Sequence, residues 1–189
     1  MSNLLEDYVK VYPSLSKEFC NQIRQELDEA NKWQQHVFYY EKTNSYRSRS
    51  GANELDVTWA NIPSRAKLTD DVWHVVRQYI TDLNSDCFNE WSGFTNIRFN
   101  RYTKDSVMAP HVDHIKDIFD GQRKGIPIIS IVGLLNDDYK GGQLLMFKEE
   151  KEIKLKQGDI VVFPSVFMYP HRVDRITEGV RDSFVSWVW

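Results

Sequence analysis

Two amphipathic segments occupy the first half of the chain. After Ser16, a favoured N-cap residue, apolar side chains recur at helical spacing, which predicts a first helix. A second helix is predicted to start near Thr69, with Asp70 and Asp71 in its positive first turn. The predicted buried stripes are Phe19, Cys20, Ile23 and Leu27 in the first helix, and Val72, Val76, Tyr79 or Ile80, and Leu83 in the second.

Short alternating or apolar segments dominate the rest of the chain. A short strand is predicted over residues 7–12, and turn signals such as Gly141-Gly142 and Gly158-Asp159 separate several later segments. This succession of short strands and turns predicts a mainly β protein with flanking helices, a jelly roll whose N-terminal helices pack on one sheet. The later strands are predicted over residues 95–103, 108–114, 126–136, 142–149, 152–157, 159–165, 170–177 and 181–189.

One domain is expected over residues 1–189, because no tandem repeat or low-complexity linker interrupts the pattern. Residues 1–90 would supply helical and strand support and a flap, and residues 91–189 the jelly-roll core. The polar segment Glu41–Asp56 is the predicted flap, and the loop Ile115–Gly125 would border the site from the other side.

Composition narrows the function classes. The 189 residues are 41% hydrophobic and 27% charged, with a net charge of −3, which argues against a nucleic-acid partner. Cys20 and Cys87 are isolated, so neither a disulfide framework nor a zinc knuckle is expected, and both are interpreted as reduced thiols. With no signal-like start and no apolar run near the roughly 18 residues that cross a membrane, a cytoplasmic protein is expected.

The five histidines differ in their surroundings. His111-Val112-Asp113 forms an H-x-D triplet, a pattern that also arises by chance, whereas His36 and His74 are interpreted as packing or surface residues. In a strand, residues 111 and 113 share a face and His114 points away.

His171 lies in the penultimate predicted strand, 60 residues after His111. In a jelly roll, the strands that carry these two histidines would run side by side, and Asp113 would then join them. Two imidazoles and one carboxylate suit non-haem Fe(II) and leave coordination positions open.

Arg181 lies in the last predicted strand and shares one strand face with Ser183, Val185 and Trp187. Burying a guanidinium is costly unless an anion meets it, and a carboxylate fits its planar fork. From the residue alone, a salt bridge to a protein acid and a bound anion are equally good interpretations.

The motifs around these residues resemble a known family over residues 97–189. In order they are "RYTKDSVMAPHVDH", "LLNDDYKGGQLLMF", "GDIVVFPS" and "HRVDRITEGVRDSFVSW". Their order and spacing resemble the 2-oxoglutarate- and Fe(II)-dependent dioxygenases of the prolyl-4-hydroxylase type, which have a double-stranded β-helix (cupin-like jelly roll). The resemblance changes the interpretation of the H-x-D triplet from chance to function.

This resemblance implies a set of roles. His111, Asp113 and His171 would ligate Fe(II), and 2-oxoglutarate would chelate the metal through its C1 carboxylate and C2 keto oxygen. Arg181, a catalytic-site residue on this interpretation, would pair with the far carboxylate together with Ser183. Tyr102 falls where the family often has a tyrosine that also contacts the cosubstrate.

The implied reaction is hydroxylation of an unactivated C–H with O2, releasing succinate and CO2, with ascorbate as the expected reductant. Asp113 favours hydroxylation, because related halogenases carry a small residue there. A prolyl or other residue of a peptide or protein is the leading substrate by analogy, and the protein is expected to be a monomer or homodimer.

Three departures from the family pattern affect the cosubstrate site. Gln143 replaces a common glutamate, and no tyrosine occurs around residues 133–135 to contact the far carboxylate. The glycine often found between the first tyrosine and H-x-D is replaced around Asp105, which predicts a differently shaped loop.

Several alternatives stay open. A hydroxylase of a free amino acid or small molecule and a non-catalytic jelly-roll binding module both fit the fold. A zinc hydrolase fits the ligand types but gives Arg181 no role. A nucleic-acid demethylase would usually show a second arginine soon after Arg181, and "RDSFVSWVW" contains none.

Overall fold

The computed structural model of the chain describes residues 4–40, 45–47, 53–84, 93–113, 127–148 and 151–189. Several sequence predictions fall outside these ranges: Cys87, His114, most of the Glu41–Asp56 segment, and the Ile115–Gly125 loop. None of the helices in the described ranges is both long and apolar enough to cross a membrane.

Helix α1 spans Lys17–Ala30 as its periodicity predicted. The Ser16 hydroxyl caps it by accepting a hydrogen bond from the Phe19 backbone N–H at 3.1 Å. Cys20, Ile23 and Leu27 are buried, and burial raises the pKa of the Cys20 thiol to about 11. Cys20 is therefore a core thiol that stays protonated at neutral pH.

Helix α2 spans Arg65–Leu83, so the predicted start near Thr69 is wrong. The carboxylate of Glu26 on α1 accepts hydrogen bonds from the Ser64 backbone N–H and hydroxyl, both at 2.8 Å. This contact fixes the chain at Ser64, and the helix begins one residue later. Asp70 and Asp71 consequently lie in the second turn and not in the first. The fully buried positions of the helix are Leu68, Val72, Val75, Val76 and Tyr79.

The strands are short, most of them are shorter than the predicted ranges, and two predicted strands have a different form. The segment predicted as a strand over 7–12 begins as a 3₁₀ turn at Glu6–Tyr8, and the predicted strand at 170–177 divides in two. The strands are β1 (Lys10–Pro13), β2 (Gln34–Gln35), β3 (Phe38–Tyr40), β4 (Ser45–Arg47), β5 (Asp56–Thr58), β6 (Arg98–Tyr102), β7 (Met108–His111), β8 (Ile129–Leu134), β9 (Lys140–Gly141), β10 (Leu144–Met146), β11 (Lys151–Ile153), β12 (Asp159–Pro164), β13 (His171–Val173), β14 (Ile176–Glu178) and β15 (Arg181–Val188).

Two sheets face each other across an apolar layer. The larger has the order β1-β12-β8-β15-β6-β5-β2, and the smaller β11-β10-β13-β7. Between them lie Met146 and Val173 of the smaller sheet and Val161, Phe163 and Tyr102 of the larger one. The strands of the second half of the chain therefore cross between the two sheets, except for the β10–β11 hairpin within the smaller sheet, which is the arrangement of a jelly roll.

The helices belong to a second apolar cluster on the other face of the large sheet. In it, Ile23 of α1 and Val72 of α2 join Ile131 of β8, Phe99 of β6 and Phe184 of β15. Each central strand of the large sheet thus has one face toward the helices and one toward the small sheet, where the candidate site lies.

A buried ion-pair network connects α1 to the large sheet. The carboxylate of Asp182, 0% exposed, accepts hydrogen bonds from Nε of Arg24 on α1 at 2.9 Å and from Nε of Arg101 on β6 at 2.8 Å. The Asp182 backbone N–H donates to Oδ1 of Asn136 at 2.7 Å. This carboxylate is fully engaged on the helix side of β15.

Candidate metal centre and active site

His111 and His171 lie directly opposite each other on the antiparallel pair β7 and β13. Their ring centroids are 4.3 Å apart. The predicted side-by-side arrangement of the two histidine strands is therefore present in the structure.

Both imidazoles are held by the backbone in one tautomer. Nδ1 of His111 lies 2.9 Å from the Ala109 carbonyl oxygen, and Nδ1 of His171 lies 3.0 Å from that of Tyr169. A carbonyl only accepts, so each Nδ1 carries a proton, and each Nε2 is the nitrogen that faces Asp113. Burial and the neighbouring His111 lower the pKa of His171 to about 4, so this imidazole is neutral at physiological pH.

Asp113 completes the group from outside the strand. β7 ends at His111, so the prediction that residues 111 and 113 share a strand face is wrong in that respect; Asp113 lies in a bend. Its carboxylate oxygens are nevertheless 3.5 Å from Nε2 of His111 and 3.7 Å from Nε2 of His171. Among the described residues, these three form a candidate metal group whose ligand atoms all lie within 4.8 Å of one another.

Two serines that the sequence reasoning missed orient this carboxylate. The Ser130 hydroxyl donates to Oδ2 of Asp113 at 2.6 Å, and the Ser165 hydroxyl lies 2.7 Å from that of Ser130. Because the single Ser130 proton goes to the carboxylate, Ser165 must donate to Ser130. Burial raises the pKa of Asp113, but His171, His111 and Ser130 together lower it further, so the group is ionised.

The donor set fits a divalent transition metal. Two imidazole nitrogens and one ionised carboxylate oxygen converge, and this is the donor set that non-haem Fe(II) enzymes use. The backbone carbonyls behind both Nδ1 atoms and the serine pair behind Asp113 form the outer contacts typical of real metal ligands.

Arg181 is the largest fully buried side chain of the site, at 1% exposure. Its Nη1 donates to the Ser183 hydroxyl at 3.0 Å, and its guanidinium lies 5.1 Å from the centre of the Tyr102 ring. No carboxylate in the described ranges pairs with it, and its Nε has no hydrogen-bond partner there. The salt-bridge interpretation therefore lacks a partner, and a bound anion is the better interpretation.

Strand register places the predicted cosubstrate residues together. Arg181 lies opposite Tyr102 and Ser183 opposite Asn100, on the face of the large sheet that meets the small sheet. Burial raises the pKa of Tyr102, which keeps its phenol protonated and able to donate a hydrogen bond.

Gly142 gives the glycine pair of the motif a structural role. Its φ is +67°, and a Cβ on it would lie 3.1 Å from Cδ of Arg181 and would clash with Ile176. The position therefore needs glycine both for its backbone conformation and to let the Arg181 side chain pass.

The structure describes the residues at all three departures from the family pattern. Asp105 adopts φ +68°, the left-handed conformation that glycine adopts most easily; the predicted difference in loop shape stays a prediction. Leu134 is buried opposite Ser183 and offers no hydroxyl, and Gln143 is exposed. The other described histidines lie apart from the group: His36 is buried just after β2, and His74 is exposed on α2.

Comparison with known proteins agrees with this geometry. Residues 97–189 match the family model of the 2OG-Fe(II) oxygenase superfamily. A PKHD-type hydroxylase of Rippkaea orientalis is 35% identical over 97 residues, covering 49% of this chain and 42% of that protein. One of Stenotrophomonas maltophilia is 34% identical over 95 residues, covering 48% and 41%. The matches thus span less than half the length of these relatives.

Solved structures share the fold over nearly the whole chain. A prolyl hydroxylase of Trichoplax adhaerens, in complex with a hypoxia inducible factor oxygen degradation domain peptide fragment, has a TM-score of 0.73 at 18% identity and covers 99% of this chain and 86% of that one. The viral collagen prolyl hydroxylase of Paramecium Bursaria Chlorella virus-1, in its 2OG complex, has a TM-score of 0.68 at 15% identity, covering 96% and 95%. The predicted mainly β, double-stranded β-helix fold is confirmed. Residues 97–189 of this chain therefore match the model of the 2OG-Fe(II) oxygenase superfamily, and the chain resembles prolyl-4-hydroxylase-type members of that superfamily.

Proposed function

We propose that this protein is an Fe(II)- and 2-oxoglutarate-dependent dioxygenase that hydroxylates an unactivated C–H, with release of succinate and CO2. The observation that carries the proposal is the pairing of two features in one fold. A group of two histidines and one carboxylate lies between the sheets, and the buried cation Arg181 has no acidic partner in the described ranges. A metal hydrolase would need the first feature but not the second.

Each described residue has a part in this proposal. His111, Asp113 and His171 hold the metal, and Ser130 and Ser165 orient the carboxylate of Asp113. Iron with 2-oxoglutarate and O2 supplies the oxidising chemistry, which the protein positions and shields from water.

The cosubstrate would be held by the cationic end of β15. Arg181 and Ser183 bind the far carboxylate of 2-oxoglutarate, and the protonated Tyr102 donates to the same group. With a metal bound, the carboxylate of Asp113 would be a ligand where related halogenases have a small residue that leaves room for a halide, which supports hydroxylation. Ascorbate is the proposed external reductant.

The leading substrate class is a prolyl or other residue in a peptide or protein. Its support is the likeness to prolyl hydroxylases, one of them solved with a peptide fragment, and to relatives named PKHD-type hydroxylases. A free amino acid or small molecule is the second candidate, and a non-catalytic binding module is the alternative of a different class.

Succinate formation tests the proposal directly. Purified protein given Fe(II), ascorbate and 2-oxoglutarate should form succinate slowly even without substrate, and His171→Ala should abolish this formation. Calorimetry with Mn(II) in place of iron should show 2-oxoglutarate binding that depends on the metal. A protein that forms no succinate and binds no 2-oxoglutarate with metal present would leave the binding-module alternative.

A further inference from the structure

Arg98 is a second cation on the inner face of the large sheet. Arg98, Asn100 and Tyr102 are alternate residues of β6, so their side chains point to the same face of the sheet. Arg98 lies opposite Val185 of β15. Arg98 and Tyr102 are four residues apart, about 13 Å along a strand. Arg98 and Arg181, which both lie on this face, are therefore in different rows of the sheet, where a row is a set of residues that lie opposite one another on neighbouring strands.

Register also places Arg98 beside the metal group. Trp187, whose ring centre is 5.0 Å from the Arg98 guanidinium, lies directly opposite Ser130 of β8. Ser130 in turn donates to Asp113. Burial lowers the pKa of Arg98, and Tyr102 and Asp113 offset part of this effect.

The contacts of Arg98 hold its guanidinium in place and leave its two terminal nitrogens available to bind an anion. Nε donates to Oδ1 of Asn100 at 3.0 Å, and the plane packs over Trp187. Within the described ranges no carboxylate pairs with Arg98, and neither terminal nitrogen has a hydrogen-bond partner. Asp113 is committed to Ser130 and the histidines.

Arg98 is partly buried, and a guanidinium whose terminal nitrogens have no protein partner can bind a carboxylate through two parallel hydrogen bonds. The far carboxylate of 2-oxoglutarate is assigned to Arg181, in the row of Tyr102. Arg98 is in the row nearer the metal group, where a substrate must bring the C–H that is oxidised.

Building on the proposed function, we propose that Arg98, held by Asn100 and Trp187, binds a carboxylate of the substrate beside the metal centre. The substrate is then anionic near its reacting carbon. Its carboxylate is either the α-carboxylate of a free amino acid or an acidic side chain of a peptide.

Two matched pairs of probes test this assignment and separate the two sources. The first is L-proline against L-prolinamide, and the second is an acetylated, amidated prolyl tetrapeptide with Glu or Gln after the proline. Affinities are measured by calorimetry on protein saturated with Mn(II) and 2-oxoglutarate, so the cosubstrate site is filled and no turnover occurs. Wild type should bind the carboxylate member of one pair about tenfold more tightly than its neutral partner, as expected for a charge-assisted pair.

Arg98→Gln should remove that preference and leave Mn(II) and 2-oxoglutarate affinity unchanged. Arg98→Lys, which keeps the charge without the fork, should retain part of it. The control is Arg77→Gln, because Arg77 also packs over a tryptophan, Trp73, but lies on α2 outside the site. It should keep the full preference.

Three results would overturn the assignment: no preference in wild type for either pair, a preference that survives Arg98→Gln, or a loss of 2-oxoglutarate affinity equal to the loss of probe affinity. The last would place Arg98 in the cosubstrate site. If wild type binds no 2-oxoglutarate, the proposed hydroxylase fails, and the same probe titrations with Mn(II) alone still decide the role of Arg98.

Discussion

His111 and His171 face each other across two paired strands, each with its Nδ1 on a backbone carbonyl two residues earlier in its own chain segment. The two metal-facing nitrogens are thus positioned by sheet pairing and backbone hydrogen bonds, before any ion binds.

Replacing either histidine should therefore remove metal binding without unfolding the sheet. We expect His171→Ala to weaken Mn(II) affinity by more than about 100-fold, beyond the effect of losing an outer contact. Calorimetry measures the affinity, and circular dichroism checks the fold. His74→Ala, on the exposed face of α2, is the matched control. Unchanged metal affinity in His171→Ala would remove this residue from the group.

The two serines behind Asp113 should affect the metal in graded fashion. Ser130→Ala deletes the hydrogen bond to the carboxylate and should lower Mn(II) affinity about 10-fold or more. Ser165→Ala, one bond farther away, should have a smaller effect of the same sign. Ser186→Ala is the control, because Ser186 is an equally buried serine of β15 whose hydroxyl bonds Thr95 instead. Equal metal affinities in all three variants would show that the serines act only in packing.

Arg181 should separate cosubstrate binding from metal binding and from stability. Arg181→Met keeps the volume and should weaken 2-oxoglutarate by about 10- to 100-fold, since a charge-assisted pair is lost. Mn(II) affinity should not change. Without 2-oxoglutarate, the variant should be at least as stable as wild type to urea, because no carboxylate of the described ranges forms an ion pair with this buried cation. Loss of metal in Arg181→Met would mean that the arginine has a different role.

Asp182, the next residue, should behave in the opposite way. Asp182→Asn leaves Arg24 and Arg101 without their shared carboxylate and should lower the free energy of unfolding by about 3 kcal/mol. Urea denaturation measures the change. Asp71→Asn, which breaks the exposed pair with Lys67, should cost about 0.5 kcal/mol or less. Equal costs for the two variants would contradict the importance of burial.

Gly133 should tolerate no added methyl group. It pairs with Phe184, whose ring lies where a Cβ of residue 133 would be. Gly133→Ala should lower the free energy of unfolding by about 1–3 kcal/mol through overpacking. Adding Phe184→Leu should recover part of that loss, and a double variant no more stable than expected from the two single changes would argue against the contact.

Local sequence signals were sufficient for α1 and most of the strands of the core, whereas the three residues of the metal group were predicted only through the family resemblance over residues 97–189. The Ser16 cap and the apolar residues of α1 are close in the chain, so the start of this helix could be predicted from the sequence. The start of α2 could not be predicted in this way, because Ser64 is fixed by Glu26, which lies 38 positions earlier in the chain. Ser130, Ser165 and Arg98 gain their roles only when strands distant in sequence become adjacent. The one sequence signal for Ser130 was its position as a lone polar residue in the otherwise apolar strand β8. The single-domain organisation, cytoplasmic location and oligomeric state stay predictions.

The alternation of β15 has a consequence for how this protein can vary. Its odd-numbered residues, Arg181 to Trp187, face the site, while Asp182, Phe184 and Val188 face the helices. Inserting or deleting one residue would exchange the two sets, placing Asp182 where the cosubstrate should bind and Arg181 against Arg24. In this strand, a change in the number of residues should therefore be tolerated less well than the substitution of most of its residues.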